Sequence, residues 1–335
     1  MEYFFTIVIP VYNAEKFLKE CLESVVTQFA PDFHFEVLCV NDGSSDGSAD
    51  ILNFYDCTYE NVRVLHQANS GVSVARNRGL REGRGTYLLF LDADDYYSEQ
   101  ALFLLHRELK NCAADLAIFN YIWDIQGKYI PNPGVQQFQL MTSEEKNVQW
   151  QDIGLSYLWH KAYRRTFLVQ HGIYFMPELA FGEDTIFFTQ CLAQADQIIC
   201  LNQYLYYHRE IHRENLSHTY CSNMEAVLRY IYQLHCSIAA KYPAFKEEIA
   251  RSQYYETMCV QVIYNMYSVH SGLTFQQRKD CLKRYFSDPL FRAVGKAHPC
   301  NIGKKIIVFC YKRHNRYLLD ASMSTIRFLK KIIEG

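Results

Sequence analysis

Three times in its first ninety-five residues this chain runs an apolar strand into a loop of turn residues and then into an amphipathic helix. Phe5-Thr-Ile-Val-Ile-Pro10 reads as a buried strand, and Asn13 is placed to cap a helix whose Phe17, Leu18, Cys21, Leu22, Val25 and Val26 recur at helical spacing. The unit returns as strand Phe35–Val40, loop Asn41–Ser48 and helix Ala49–Tyr55. It returns again as strand Val62–His66, loop Gln67–Gly71 and helix Val72–Glu82. Alternation of this kind predicts a parallel sheet joined by right-handed crossovers.

The strand that follows, Thr86-Tyr-Leu-Leu-Phe-Leu, ends in Asp92, Asp94 and Asp95. Like charges this close are costly unless a hard cation neutralises them, and open α/β sheets bind ligands at the carboxyl ends of their strands. Beyond Ser98, read as an N-cap, a helix is expected over 99–110, a strand over 115–125, a capping box at Thr142-Ser-Glu-Glu145, a helix over 183–195 and a strand over 198–207. From Ser222 the pattern turns to long helical stretches at about 222–241, 244–270, 274–286 and 303–333, which places a domain boundary near 220. The expected division is therefore 1–220 and 221–335.

Composition narrows the class. At 335 residues the chain can bury a large core. Twelve cysteines stand singly with no C-x-x-C pair, so zinc is not expected and reduced thiols are. The start lacks a basic n-region and a small-residue cleavage site, and no apolar run approaches the roughly 18 residues of a spanning helix. A cytoplasmic protein is expected on these grounds. Residues 301–335 carry eight Lys/Arg against two Asp/Glu within a chain of net charge −2. Basic and apolar residues alternate there at helical intervals, which suits either a helix lying on the anionic inner face of the cell membrane or a helix packed on the core with a solvated Lys/Arg face.

Four pieces stand in order: Ile9-Pro-Val-Tyr-Asn13; Val40-Asn-Asp-Gly-Ser-Ser-Asp-Gly-Ser48; Gly71-Val-Ser-Val-Ala-Arg-Asn-Arg-Gly79 with Phe90-Leu-Asp-Ala-Asp-Asp95; and Phe181-Gly-Glu-Asp184. As an ordered set over about the first 220 residues they resemble the family-two inverting glycosyltransferases. The resemblance implies a GT-A-type, Rossmann-like, mainly parallel sheet flanked by helices. It implies that a sugar passes with inversion from a nucleotide-diphosphate donor, UDP-linked by preference, to a hydroxyl of a saccharide or lipid-linked saccharide, in bacterial surface polysaccharide or lipopolysaccharide assembly. No nucleic-acid partner is expected.

By the same resemblance Pro10, Val11, Tyr12 and Asn13 hold the nucleotide, and Asp42 accepts a hydrogen bond from the base imide. A carboxylate is acceptor-only and suits uracil N3–H. Arg76 approaches the diphosphate or orients the acidic loop, Asp92 contacts ribose or donor sugar, Asp94 ligates Mn²⁺ or Mg²⁺, and Asp95 caps the following turn. Asp184 is the general base, with Glu183 as its runner-up. Tyr207-His-Arg-Glu-Ile-His-Arg-Glu-Asn-Leu-Ser217 is similar to a loop that folds over the diphosphate, making Arg209 and His212 candidates for phosphate contact. It departs from the pattern at His208 and Asn215 and in the length between Arg209 and Ser217. Trp159-His-Lys161 matches a segment near the acceptor side.

Three other readings compete. A sugar nucleotidyltransferase requires an N-terminal Gly-rich signature with Arg and Lys, which is missing. A catalytically inactive nucleotide-sugar or carbohydrate-binding module predicts loss of the metal or base Asp, and both are present. Hydrolysis by paired carboxylates leaves the nucleotide-type loop and Asp42 without a purpose.

Overall fold

The computed structural model describes residues 2–132, 138–141, 157–179, 181–210, 220–241, 254–299 and 301–334, without the side chains of 138–141, 241 and 329–334. The Thr142–Glu145 box, His212, Asn215 and Ser217 lie outside the described residues. Two compact units are distinguished, Met1–Ile211 with Ala240–Tyr242 and His212–Ala239 with Pro243–Gly335.

The first unit opens with β1 (Tyr3–Val11), α1 (Glu15–Val26), β2 (His34–Asp42), α2 (Ser48–Thr58), β3 (Val62–Gln67), α3 (Val72–Glu82) and β4 (Tyr87–Phe90). Phe5, Ile7, Val8, Ile9 and Val11 of β1 are fully buried, as a strand covered on both faces requires. It continues with β5 (Tyr96–Tyr97), α4 (Ala101–Leu109), β6 (Leu116–Ile125), β7 (Lys128–Pro131), β8 (Phe138–Met141), β9 (Lys161–Arg164), α5 (Arg165–Gln170), α6 (Glu183–Gln194) and β10 (Ile198–Arg209). The ten strands of the described residues form one sheet of order β3-β2-β1-β4-β9-β6-β10-β5, with β7 beside β6 and β8 beside β10.

Strands β3, β2, β1 and β4 are parallel, as the alternation predicts. The short strand β9 was not expected. It lies antiparallel between β4 and β6, and β6 is parallel to β10, so β4, β6 and β10 all point one way. The carboxyl ends of β1, β2, β4 and β10 therefore share one rim with the amino end of the reversed β9. That rim gathers Asn13, Asp42, Asp92, Asp94, Asp95, Lys161, His208 and Arg209.

Two capping expectations are corrected. Ala14, not Asn13, is the N-cap of α1, and Asn13 sits at φ 50° with its Oδ1 accepting from the Ser45 amide at 2.8 Å. The first amides near that terminus are taken from across the loop, Ala14 by Ser48 Oγ (2.9 Å) and Glu15 by Asp46 Oδ2 (3.1 Å). The loops after β1 and β2 thus cap each other, which a local reading of either one cannot reveal. Helix α4 likewise begins at Ala101 with Gln100 as N-cap, and Ser98 contributes its carbonyl to the Ala101 amide.

The second unit holds α7 (Met224–Lys241) as far as Ala239, α8 (Tyr254–Asn265), α9 (Phe275–Ser287), a 3₁₀ turn (Leu290–Lys296), α10 (Ile302–Lys312) and α11 (Arg316–Glu334). A Thr274 and Gln277 capping box starts α9. The single tail helix expected over 303–333 is two helices, broken where His314 takes φ 51°. Ile307, Tyr311, Leu319 and Met323 from both sides of the break join one buried cluster with Leu228, Ile263, Leu282 and Phe291.

Gly79 shows how closely α3 lies on β1. A Cβ there would overlap the side chain of Val8, which is fully buried. Gly79→Ala is expected to destabilise the protein by about 1–3 kcal/mol from overpacking. Chemical denaturation checks this; a midpoint equal to that of the parent would show that helix and strand are not in contact there.

Candidate active site

The A-R-N-x-G sequence of α3 divides three tasks among adjacent residues. Gly79 admits the helix to the sheet. Asn77 clamps the backbone of Phe175, donating to its carbonyl and accepting from its amide, both at 2.8 Å. Phe175 in turn stacks on Phe187 at 4.1 Å and lies 5.5 Å beneath the Arg76 guanidinium.

Arg76, 4% exposed, joins two distant parts of the chain. Its Nη2 donates to Asp92 Oδ1 at 3.1 Å, and its Nη1 donates to Asp184 Oδ1 at 2.7 Å and Glu183 Oε1 at 3.4 Å. Arg76 thus hydrogen-bonds both the acidic turn after β4 and the start of α6. Asp92 follows β4, while Glu183 and Asp184 form the first turn of α6, where carboxylates are favoured by the helix dipole. Gly182, the α6 N-cap, takes φ 77°, a left-handed conformation that suits glycine and turns the chain into the helix.

One guanidinium against three carboxylates leaves the cluster negative, and burial adds to the cost of charge. Desolvation is the main reason that the Asp184 carboxyl is raised to about 6, opposed by Arg76 and reinforced by Glu183 and Asp92. Its Oδ2 carries no hydrogen bond from any described residue. Lys161, fully buried at the start of β9, donates to the Tyr157 carbonyl at 2.6 Å and sits 4.2 Å over the Phe188 ring. Burial pushes its pKa well down, against the pull of Asp184. Sequence reasoning quoted Lys161 within a motif but gave it no task; a lysine amid Trp159, Ala162 and Tyr163 was the available signal.

Asp95 is corrected from a turn cap to a clasp. Its amide closes the turn to the Asp92 carbonyl, but the buried carboxylate accepts from Tyr206 Oη (2.6 Å), His208 Nδ1 (2.9 Å) and the Arg209 amide (2.7 Å). Burial raises the Asp95 carboxyl despite His208. Desolvation works against the His208 cation, yet the Asp95 contact prevails and its pKa is raised. Trp159 stacks on both Tyr206 (4.5 Å) and His208 (4.9 Å), fixing the end of β10 beside the Asp92–Asp95 turn.

Arg209 points elsewhere. It pairs with Glu20 at 2.7 Å between the rings of Phe17 and Tyr96, 4.9 and 5.1 Å away. On the opposite flank, Asp42 accepts from Gln67 Nε2 and from the Ser70 and Gly71 amides, each at 2.8 Å. Those bonds use both lone pairs of Oδ1 and one of Oδ2, leaving one acceptor position. Pro10, Val11, Tyr12 and Asn13 follow along the same rim, with Val11 buried and Tyr12 54% exposed.

Glycosyl transferase family 2 is the family whose model matches residues 6–172. YibD of Escherichia coli K12, named an uncharacterized glycosyltransferase, is 31% identical over 267 residues, 73% of this chain and 75% of its own length. EpsJ of Bacillus subtilis 168, also named an uncharacterized glycosyltransferase, is 32% identical over 211 residues, 61% of this chain. A poly(ribitol-phosphate) beta-glucosyltransferase of Bacillus spizizenii is 31% identical over 205 residues, again 61% of this chain. The chain spans 60% of the length of EpsJ and 32% of that of the beta-glucosyltransferase. Among solved structures, residues 1–349 of S. aureus TarS in complex with UDP-GlcNAc align with TM-score 0.64 at 20% identity, covering 98% of this chain and 92% of that one. PcManGT, a mannosyltransferase of Pyrobaculum calidifontis in complex with GDP-Man and Mn²⁺, aligns with TM-score 0.53 at 13% identity, covering 98% and 88%. At these identities the likeness establishes a GT-A-type fold. The sequence relatives show that this chain belongs to glycosyl transferase family 2.

Proposed function

We propose that the chain is an inverting glycosyltransferase that moves a sugar from a UDP-linked donor to a hydroxyl of a saccharide or lipid-linked saccharide, forming a β-linkage in the assembly of a bacterial surface polymer. The observation that carries this reading is the Arg76 bridge between Asp92, beside the donor rim, and Asp184, whose second oxygen is unengaged by described residues.

Pro10–Asn13 and the remaining acceptor position of Asp42 frame the uracil, and exposed Tyr12 offers a ring beside it. Nucleotide-bound relatives support a nucleotide-sugar donor, since TarS structures hold UDP and UDP-GlcNAc. Asp184 takes the acceptor hydroxyl's proton on Oδ2 as the hydroxyl oxygen bonds to the anomeric carbon, in line with the departing nucleoside diphosphate. Arg76 holds the base in place through Oδ1, and Glu183 lies beside it for contact with the acceptor.

The donor set fits a hard divalent cation. Asp92 and Asp94 are partly exposed at the end of β4, the neighbouring carboxylates outnumber Arg76, and no three His, Cys, Asp or Glu side chains converge as ligands among the described residues. Mg²⁺ and Mn²⁺ are held in this way, by one or two carboxylates with substrate oxygens completing the shell. Asp94 would be the principal protein ligand. When bound, the ion supplies neutralisation of charge on the leaving diphosphate.

No described helix is long and apolar enough to cross a membrane. We propose a peripheral contact with an anionic membrane through α10 and α11, supported by Ile302, Phe309 and Phe328, 75%, 49% and 64% exposed, among the basic residues of that segment.

A panel of nucleotide sugars with Mn²⁺ or Mg²⁺, then chelator, tests the activity; no transfer from any donor would refute it. Asp184→Asn should lower kcat by about 10²–10⁴ with donor affinity nearly unchanged. Normal turnover in that variant would place the base elsewhere. Asp94→Ala should weaken metal-dependent donor binding. Because Asp184 is raised to about 6 and acts deprotonated, kcat/KM should fall tenfold per unit below pH about 6; a rate still constant at pH 5 would contradict the assignment. Phe309→Ser with Phe328→Ser should reduce sedimentation with phosphatidylserine vesicles, and equal sedimentation of parent and variant would remove the membrane contact.

A further inference from the structure

Alternation along β10 gives its two faces different chemistry. Tyr206 and His208 face Asp95, whereas Tyr207 and Arg209 lie on the other side with Tyr96. There Tyr207 stacks flat on Tyr96, with ring centroids 4.8 Å apart at 7°, and meets Tyr129 edge-on at 5.6 Å. Tyr129 projects from β7, all of whose residues are exposed, and is itself 58% exposed.

These rings open onto a groove of about 850 Å³ running between α1, β5 and β7. Its described lining consists of five tyrosines, three glutamates and three serine or threonine residues, with no lysine, arginine or aliphatic side chain. The volume lies within the about 300–1,000 Å³ of ligand pockets. Its chemistry is selective. Three glutamates in a lining that has no lysine or arginine of its own oppose phosphorylated and other anionic ligands, and a wall without aliphatic groups offers little to a lipid chain or an apolar peptide.

The acids are also partly engaged. Glu20 pairs with Arg209 at 2.7 Å, and Glu23 pairs with Lys19 at 3.8 Å and accepts from Tyr55 Oη at 3.4 Å. They serve as hydrogen-bond acceptors more than as bare charge, which disfavours a cationic peptide. Rings that are apolar on the face and polar at the tip, beside carboxylate and hydroxyl groups, match the alternating C–H faces and hydroxyl rims of a sugar.

We infer that this groove binds a neutral glycan outside the reaction centre and, resting on the glycosyltransferase reading for its source, that the glycan is the acceptor chain. Tyr207 and Tyr129 are the stacking platforms, and the glutamates receive hydroxyl hydrogen bonds.

The test is tyrosine-ring NMR on the full chain titrated separately with neutral hexasaccharides of glucose, mannose, galactose and N-acetylglucosamine, with a hyaluronan hexasaccharide, a lysine-rich peptide and UDP as controls. At least one neutral hexasaccharide should shift the Tyr207 and Tyr129 signals. Tyr207→Ala and Tyr129→Ala should each weaken that binding by about 3–10-fold, the loss of one ring contact, and Tyr129→Ala should leave UDP affinity unchanged. Tyr129 is on an exposed strand, so its variant keeps the test valid if Tyr207→Ala perturbs folding. Silence toward all four neutral hexasaccharides, undiminished binding in Tyr129→Ala, or stronger binding of the hyaluronan or the peptide would overturn the inference. Transfer activity with a silent groove would remove the groove alone, and glycan binding without transfer from any donor would remove the catalytic reading and leave the groove as a glycan site.

Discussion

Arg76 is the constraint on which the rest of the site depends. Burying an arginine is costly, and it is tolerated where hydrogen-bonded carboxylates answer it. Here the guanidinium reaches Asp92 on one side and Glu183 with Asp184 on the other, over a Phe175 ring fixed by Asn77. Its two terminal nitrogens suit this bridging, which a lysine ammonium on a single point could not reproduce. The incomplete neutralisation has chemical value. It leaves Asp184 raised to about 6, basic enough to take a proton near neutral pH, and it leaves negative charge at a rim suited to a cation.

Sheet topology supplies the second requirement. Reversal of β9 lets β4, β6 and β10 run together, so the turn Asp92–Asp95 and the end of β10 arrive side by side. Asp95 then ties them, accepting from three groups of β10 while Trp159 packs its ring across Tyr206 and His208. Three adjacent aspartates thus face different partners. Asp92 meets Arg76 and Asp95 secures the scaffold, while the proposed mechanism assigns the cation to Asp94.

Much of this was legible from residue order. The repeated strand, loop and helix gave the parallel half of the sheet, and the carboxylates at the end of β4 marked the rim because strand formers stop there abruptly. The parts that were not legible depend on contacts across the sequence. Asn13 looks like a helix cap by itself, but Ser48 and Asp46, more than thirty residues on, take the amides. Strand β9 has four residues, KAYR, too few for periodicity to declare. Lys161 and Asp95 carry charges that sequence rules send to solvent or to a turn, and the fold buries both. The joining of Arg76 to Asp184, 108 residues apart, is a tertiary fact that motif resemblance anticipated only as a choice between two roles.

The most direct measurement of this account is the titration of the Asp184 carboxyl by ¹³C NMR in the parent protein and in Arg76→Gln, with thermal unfolding to confirm that both are folded. Removing the guanidinium takes away the attraction that opposes burial, Glu183 and Asp92, so the Asp184 midpoint should move upward by about one unit or more from its value near 6. An unchanged midpoint in a folded variant would mean that Arg76 does not govern the proposed base, and the central bridge would lose its meaning.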